Sequence, residues 1–287
     1  MLKSWKEALL KEYPRLAPES KFRFSCQRGL SCFTKCCADV NIFLTPYDVL
    51  RMEKALNLSS GEFLEKYTVA PFMTEEKLPL VLLKMQSDDR KSCPFIASEG
   101  CAIYEDRPWS CRMFPLGIAS SKTTDRPDSQ EFCFIVDEGF SCLGFKEDKE
   151  WTVADWRRDQ GIDIYDKKCE PYREITMHPL FSEGNGIGPA KTMVFYLTCY
   201  DLDRFRELIL KSSFFSRFEV AEEVVEKIKT DDEALLNFGY DWLRFSLFGE
   251  NTLKVKAEVL EEKKKTLFKT NSKRKANEKH RKHKFSK

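Results

Sequence analysis

The sequence predicts an α+β fold, with a cysteine-rich N-terminal half of short strands and helices and a mainly helical C-terminal half, and three observations point to it. Nine of the eleven cysteines fall between Cys26 and Cys142. Two short apolar runs inside that stretch, Leu80 to Met85 and Phe132 to Val136, read as strands. From Trp151 onward helical patterns dominate. The 287 residues are 42% hydrophobic and 13% aromatic, enough material for a packed core and too much for a disordered chain.

The elements follow in order. Residues 1–21 read as an N-terminal helical arm, 22–145 as the cysteine-cluster domain, 146–262 as the mainly helical region and 263–287 as a disordered basic tail. Thr45-Pro46-Tyr47-Asp48 sets a hydroxyl at a cap, proline at the first helical position and a carboxylate three residues on, so a helix runs from Pro46 to Leu56. Val49, Leu50, Met52 or Glu53, and Leu56 give it one apolar face that belongs to the core. Ser60-Gly61-Glu62-Phe63 opens a second, shorter helix. Residues 120–130 are polar and contain one proline, which reads as a surface loop joining two strands. Helical patterns cover Trp151–Gln160, Leu202–Lys211, Val220–Ile228 and Asp232–Leu247, and Asp201-Leu202-Asp203 places carboxylates at a positive helix end. Met193 to Tyr200, rich in aromatic and branched residues, reads as a short strand.

The cysteines carry the chemistry. The first residues are charged and lack the apolar middle of a secretory signal, and no apolar run is long enough to cross a bilayer. A cytoplasmic, reducing setting follows, in which clustered thiols are metal ligands rather than a disulfide framework. None of the three histidines, His178, His280 and His283, lies in the cysteine-rich segment, so thiolates must supply the site. Soft sulfur donors select zinc or an iron–sulfur cluster, and between these the sequence leaves the choice open. Cys26, Cys32, Cys36 and Cys37 span twelve residues, with Gly29 permitting a tight turn. Side chains of neighbours in extended backbone point opposite ways, so Cys36 and Cys37 are expected to serve two different sites unless the chain bends there. Cys93, Cys101 and Cys111 form a second group, with Arg107 and Arg112 close enough in sequence to favour thiolate, or else solvated or paired with Glu105 and Asp106. Cys169 and Cys199 stand apart and read as small buried hydrophobes.

The Cys26–Cys37 cluster, Leu44-Thr45-Pro46-Tyr47-Asp48, Cys93-Pro94-Phe95, Cys101-Ala102-Ile103-Tyr104, Arg107-Pro108 and Cys111-Arg112-Met113-Phe114-Pro115 together resemble the YkgJ-type cysteine-cluster family over roughly residues 22 to 145. Members of that family are described as zinc- or iron-chelating proteins. The resemblance marks Cys26, Cys32, Cys36, Cys37, Cys93, Cys101 and Cys111 as metal ligands, and Cys142 in Cys142-Leu143-Gly144 is similar to the element that closes the family's cluster. Cys133 is the weakest candidate. The eight thiols would form two four-ligand sites, or one cluster with spare structural thiols, holding zinc or a 4Fe-4S cluster. One departure is plain: the family's first spacing is Cys-x-x-Cys-x-x-Cys-Cys, whereas here five residues separate Cys26 from Cys32 and three separate Cys32 from Cys36. The family includes flagellin lysine N-methylase-like members, which implies an alternative: iron–sulfur-dependent, S-adenosylmethionine-linked methyl transfer to a protein substrate. Either reading requires the first four thiols and the later three to converge in the fold.

Two further features remain. Gly184, Gly186 and Gly188 form the one glycine-rich loop, which could cradle a phosphate or a cofactor carboxylate through backbone amides or be an ordinary turn. Pro189 and the strand-like run after it separate this loop from the dinucleotide fingerprint. No serine–histidine–aspartate or two-histidine helix motif occurs, and His178 reads as structural, so hydrolase chemistry has no support. The net charge of +2 hides an uneven distribution: residues 263–287 carry twelve Lys or Arg against Glu278, and the remainder carries 36 basic against 45 acidic residues. Such a tail binds nucleic acid or anionic lipid without sequence preference, or rests on the protein's own acidic surface.

Overall fold

Helix α1, Pro46–Leu56, begins where the local chemistry places it: Thr45 accepts the N–H of Asp48 and the Asp48 carboxylate returns to the N–H of Thr45, with Pro46 at the first position. Asn57 ends it in the left-handed conformation. Helix α2, Ser60–Tyr67, repeats the same box with Ser59 and Glu62. A three-stranded antiparallel sheet lies beside them, with β4 (Val81–Leu83) between β2 (Phe43–Leu44) and β3 (Thr68–Val69). All three residues of β4 are buried, as expected of a central strand. The computed structural model describes residues 14–69, 78–120, 131–136, 142–182, 186–262 and 264–265.

The cysteine region continues through small antiparallel pairs. Strands β5 (Ile96–Ala97) and β6 (Gly100–Cys101) form a hairpin, and the short helix α3 spans Trp109–Met113. Strands β7 (Leu116–Ser120) and β8 (Glu131–Ile135) pair over five residues each; Ser120, expected in a loop over 120–130, belongs to β7, and 121–130 lie outside the described residues. Strand β1 (Lys21–Arg23) pairs with the distant β9 (Glu150–Thr152). This closure draws both ends of the cysteine segment together. Its apolar filling is one cluster of Phe22, Phe24, Met113, Leu116, Cys133, Val153, Trp156 and Ile162. Phe24 is the hub, with the rings of Phe114, Phe145 and Trp156 all within 5.7 Å of its own.

Helices dominate the rest of the first unit, which ends at Arg204: α4 (Val153–Asp159), α5 (Ile162–Thr176), α6 (Pro179–Ser182) and α7 (Pro189–Tyr200). Three sequence expectations need correction. Met193 to Tyr200 is not a strand but the body of α7, because Thr192, Phe195 and Cys199 recur at helical spacing and are buried, and Pro189 sits at the first position, where its missing N–H costs nothing. Helix α5, the longest among the described residues, is not among the helical patterns named above, although Ile162, Tyr165, Cys169 and Ile175 bury one face of it. Residues 14–21 of the expected helical arm are extended or turned, with Leu16 bridging Cys133, and Pro14 and Pro18 oppose helix there. Residues 1–13 of that arm lie outside the described residues.

The second unit, from Phe205 onward, is by itself a small helical body. Helix α8 (Leu202–Lys211) leads into it, followed by α9 (Phe214–Arg217), α10 (Glu222–Ile228) and α11 (Asp232–Leu243), with a π-helical turn at Arg244–Phe248. Strands β10 (Phe218–Glu219) and β11 (Lys254–Val255) pair antiparallel. Phe205 stacks on Trp242, and Phe205, Ile209, Ile228, Leu235 and Leu243 are fully buried. Of the basic tail, only Lys264 and Lys265 are described. No described helix is long and apolar enough to cross a membrane.

Replacing Phe24, which is 2% exposed, with Ala should cost about 3–5 kcal/mol, the usual range for a fully buried ring. Urea unfolding followed by tryptophan emission measures it, since Trp151 and Trp156 lie in the same aromatic cluster. A loss below about 1 kcal/mol would show that Phe24 is not the hub.

Candidate metal centre

The first cysteine loop turns at Gly29, with φ of +97°, and again at Thr34, which is left-handed at φ 65°. Thr34 leads directly into a 3-10 turn at Lys35–Cys37, closed by the Cys37 N–H on Thr34 O at 3.1 Å. The backbone therefore bends at the Cys36–Cys37 pair. Two main-chain contacts fix the flanks. Ser25 N–H donates to Gly144 O at 3.0 Å, bringing Cys26 beside Cys142, and Cys93 N–H donates to Cys37 O at 2.8 Å. The β5–β6 hairpin then carries Cys101 back toward Cys93, with Ala102 N–H on Phe95 O at 2.8 Å. Cys111 projects from α3.

All eight sequence-marked thiols, Cys26, Cys32, Cys36, Cys37, Cys93, Cys101, Cys111 and Cys142, line one cavity of about 660 Å³. Apolar side chains supply much of the remaining wall, among them Phe24, Phe33, Ile42, Leu83, Phe95, Ile103 and Trp156. The first loop folds over the hairpin: the Phe33 ring lies against Gly100, and the Arg28 guanidinium grips the Glu99 carboxylate. Among the described residues no three Cys, His, Asp or Glu side chains come close enough to enclose one ion. The sulfurs share a space rather than a point.

Within that space the thiols sort into two neighbourhoods. Burial pushes the Cys26 thiol up to about 11, with Cys36, Cys142 and Cys32 adding to the rise. Cys142 is raised by burial and by Cys32 and Cys36, while the Gly144 N–H opposes. Cys32 also accepts the N–H of Leu143 at 3.3 Å. Cys37 is raised by its hydrogen bond with Cys36, by burial, and then by Cys36, Cys111 and Cys93. Cys111 opens onto the cavity yet is densely surrounded by protein. Burial pushes it up to about 12, helped by Cys93, Cys101 and Asp48 and opposed by Arg107. Cys26, Cys32, Cys36 and Cys142 thus fall in one neighbourhood, and Cys37, Cys93, Cys101 and Cys111 in another. Cys36 and Cys37, hydrogen-bonded to each other, join the two.

The two arginines differ in place. Arg107 lines the cavity, lies over the Tyr104 ring and opposes the rise of both Cys101 and Cys111, as a nearby cation must. Arg112 is turned into protein. Its guanidinium donates to the main-chain oxygens of Arg107 at 3.0 Å and Gln160 at 2.7 Å, to Glu105 O, and to the Tyr165 hydroxyl at 3.1 Å. Neither pairs with the Glu105 or Asp106 carboxylate in the described contacts: Asp106 holds Arg51, and Glu105 offers Arg112 its main chain. Sequence reasoning assigned Asp48 to helix capping alone. The structure adds a 2.8 Å hydrogen bond from the Trp109 N–H to Asp48 Oδ1, a contact over 61 residues that no local pattern announces.

The other marked residues lie elsewhere. Cys133 is buried in the Phe24 core, and Cys169 and Cys199 are buried among helices. Gly186 and Gly188 precede α7 and are not part of the cavity wall, and Gly184 lies outside the described residues. His178 accepts the N–H of Leu180 at 3.2 Å.

Residues 25–134 match the CxxCxxCC family, described as a putative zinc- or iron-chelating domain. This segment is similar to cysteine-cluster domains of the YkgJ type. The match includes seven of the eight cavity thiols and ends before Cys142. No curated protein and no solved structure matches the chain.

The raised thiols set a pH dependence. A group whose folded pKa exceeds its unfolded value holds its proton more tightly in the fold, so its contribution is complete below the unfolded value and is lost as pH rises. With Cys26 at about 11 and Cys111 and Cys169 at about 12, against 9.0 for a free thiol, metal-free protein should lose stability steadily above pH 9. Urea midpoints on either side of that value test this. A midpoint that is flat or rising with pH would contradict the buried-thiol assignment.

Proposed function

We propose that this protein chelates zinc or iron through eight thiolates divided between two four-thiol groups: Cys26, Cys32, Cys36 and Cys142 in one, and Cys37, Cys93, Cys101 and Cys111 in the other. The observation that carries the reading is that thiols from four separate chain segments line a single cavity inside the family-matched domain. The donor set fits the ion class, because all-thiolate surroundings select zinc or iron–sulfur over hard cations. Four thiolates around a divalent ion leave excess negative charge, and Arg107 on the cavity wall offsets part of it. Arg112 acts further back, holding the chain that leads into Cys111 through the Glu105 and Arg107 carbonyl oxygens.

The bound ion would supply a cross-link among the segments and, for an iron–sulfur centre, one-electron chemistry. The chain's own residues hold the thiols near one another, keep them protonated until the ion arrives, and screen the cavity behind the Arg28–Glu99 contact. Drawing the sulfurs in from the cavity wall requires the first loop and the β5–β6 hairpin to close, so loading and local ordering are coupled. S-adenosylmethionine-linked methylation rests on the family resemblance alone, and no contact in the structure favours it.

Protein purified without oxygen should carry zinc or iron by elemental analysis, and a visible absorption band separates an iron–sulfur centre from colourless zinc. Cys36→Ser is expected to deplete the first group, and Cys101→Ser or Cys111→Ser the second, with Cys36→Ser/Cys111→Ser depleting both. Metal content indifferent to all of these substitutions would reject the proposal.

A further inference from the structure

Two capping boxes of the same design sit a few residues apart, and they are not used alike. In α2 the Glu62 carboxylate serves Ser59 and stays exposed. In α1 the Asp48 carboxylate serves Thr45 through Oδ2, at 2.8 Å from its N–H and 2.7 Å from its hydroxyl, yet Asp48 is wholly buried. Burying a carboxylate is costly, and capping a helix does not require it. The second oxygen accounts for the difference.

Asp48 Oδ1 accepts the N–H of Trp109 at 2.8 Å. Trp109 is the first residue of α3, and Cys111 is the third. Pro108, at the cap position of α3, offers no side-chain acceptor, so the helix start is satisfied by α1 instead. A helix of five residues cannot hold its own conformation in water and must be fixed from outside. It is fixed on both sides of Cys111: by Asp48 at Trp109, and by the Arg112 guanidinium on the Arg107 and Gln160 carbonyls. The Trp109 ring N–H adds a third tie, to Asp166 at 2.8 Å. Cys169 stands behind the cap, its thiol donating to the Thr45 hydroxyl at 3.4 Å.

We propose that Asp48 is a positioning residue for the thiol centre, capping the Cys111 helix from α1 so that this sulfur is held on the cavity wall beside Cys37, Cys93 and Cys101. The inference rests on the metal-chelating reading and deepens it. Asparagine at this position keeps one carbonyl oxygen but presents an NH2 group to either Thr45 or Trp109, whose N–H groups are themselves donors. It can satisfy one partner and must repel the other.

Titration of full-length metal-free protein with cobalt(II), read by thiolate-to-cobalt absorption, provides the test. Asp48→Asn should lose about half of the saturating absorption, matching Cys111→Ser, because one of the two four-thiol groups is disordered. The double variant should lose no more than either single one. Thr45→Ala, which weakens the α1 cap but leaves the Trp109 bond, should lower stability while keeping the wild-type spectrum. An Asp48→Asn spectrum superimposable on wild type overturns the inference and leaves the chelation reading standing. Wild-type protein without any thiolate–cobalt band defeats the chelation reading itself. Should Asp48→Asn fail to fold, amide hydrogen exchange on the wild-type protein decides: zinc should slow exchange at the Trp109 N–H at least tenfold more than at the Ser59 N–H that Glu62 holds, and equal slowing refutes the coupling.

Discussion

Thiols buried this closely resist ionising, first through lost hydration and then through one another, and that resistance is the constraint on which the site depends. Cys26, Cys93, Cys111 and Cys142 are raised above the free-thiol value first by burial and then by neighbouring thiols, Cys101 by burial alone, and Cys37 first by its hydrogen bond with Cys36. A wall of neutral thiols is stable as it stands; a wall of thiolates needs a cation. The same fold therefore has two electrostatic solutions, one with protons and one with metal, and exchange between them must release the protons. Arg107 lowers the cost of the second without removing it, since its own charge is buried and disfavoured there.

The scaffold that imposes this crowding is mostly apolar and lies behind the thiols rather than among them. The β1–β9 pair, although only three residues long, joins segments nearly 130 residues apart and so places Cys26 and Cys142 side by side. The Phe24 cluster fills the space between that pair and α3. On the other flank the polar ties of Asp48, Arg112 and Gln160 hold α3 against α1 and the turn that precedes α5. Buried charges in such a network are useful when their geometry is specific, because a slipped register would leave Asp48 or Arg112 without partners. The cost of burying them is thereby converted into precision at Cys111.

What could be read from the sequence divides along the range of the interactions. The capping boxes at Thr45 and Ser59 are complete within four residues, and both helices begin where those residues place them. That thiols rather than histidines would line the cavity was legible from the count and from the absence of histidine in the segment, whereas how they divide was not. Met193 to Tyr200 failed for the opposite reason: Val194, Phe195, Tyr196 and Leu197 look strand-like one at a time, and only the buried spacing of Thr192, Phe195 and Cys199 reveals a helix. In α5 the mixed charges and Pro171 obscured an apolar face at Ile162, Tyr165 and Cys169 that has helical period. The second partner of Asp48 was not readable at all, because a free carboxylate oxygen in a capping box has no sequence signature.

The adjacent pair Cys36–Cys37 shows why the division of the thiols is a consequence of backbone rather than of composition. Extended backbone would aim the two sulfurs to opposite sides and leave only one of them on the cavity. The left-handed Thr34 and the 3-10 turn after it bend the chain, so both line the cavity wall, yet successive residues in such a turn still project about a third of a turn apart. The two sulfurs stay within hydrogen-bonding reach of each other, yet each also faces different thiols. Cys36 accordingly joins Cys26, Cys32 and Cys142, while Cys37, tied through its carbonyl to the Cys93 N–H, joins the hairpin and α3. Cys36 and Cys37 are thus where the two thiol neighbourhoods meet, and the Thr34 turn is what brings both of them onto the cavity.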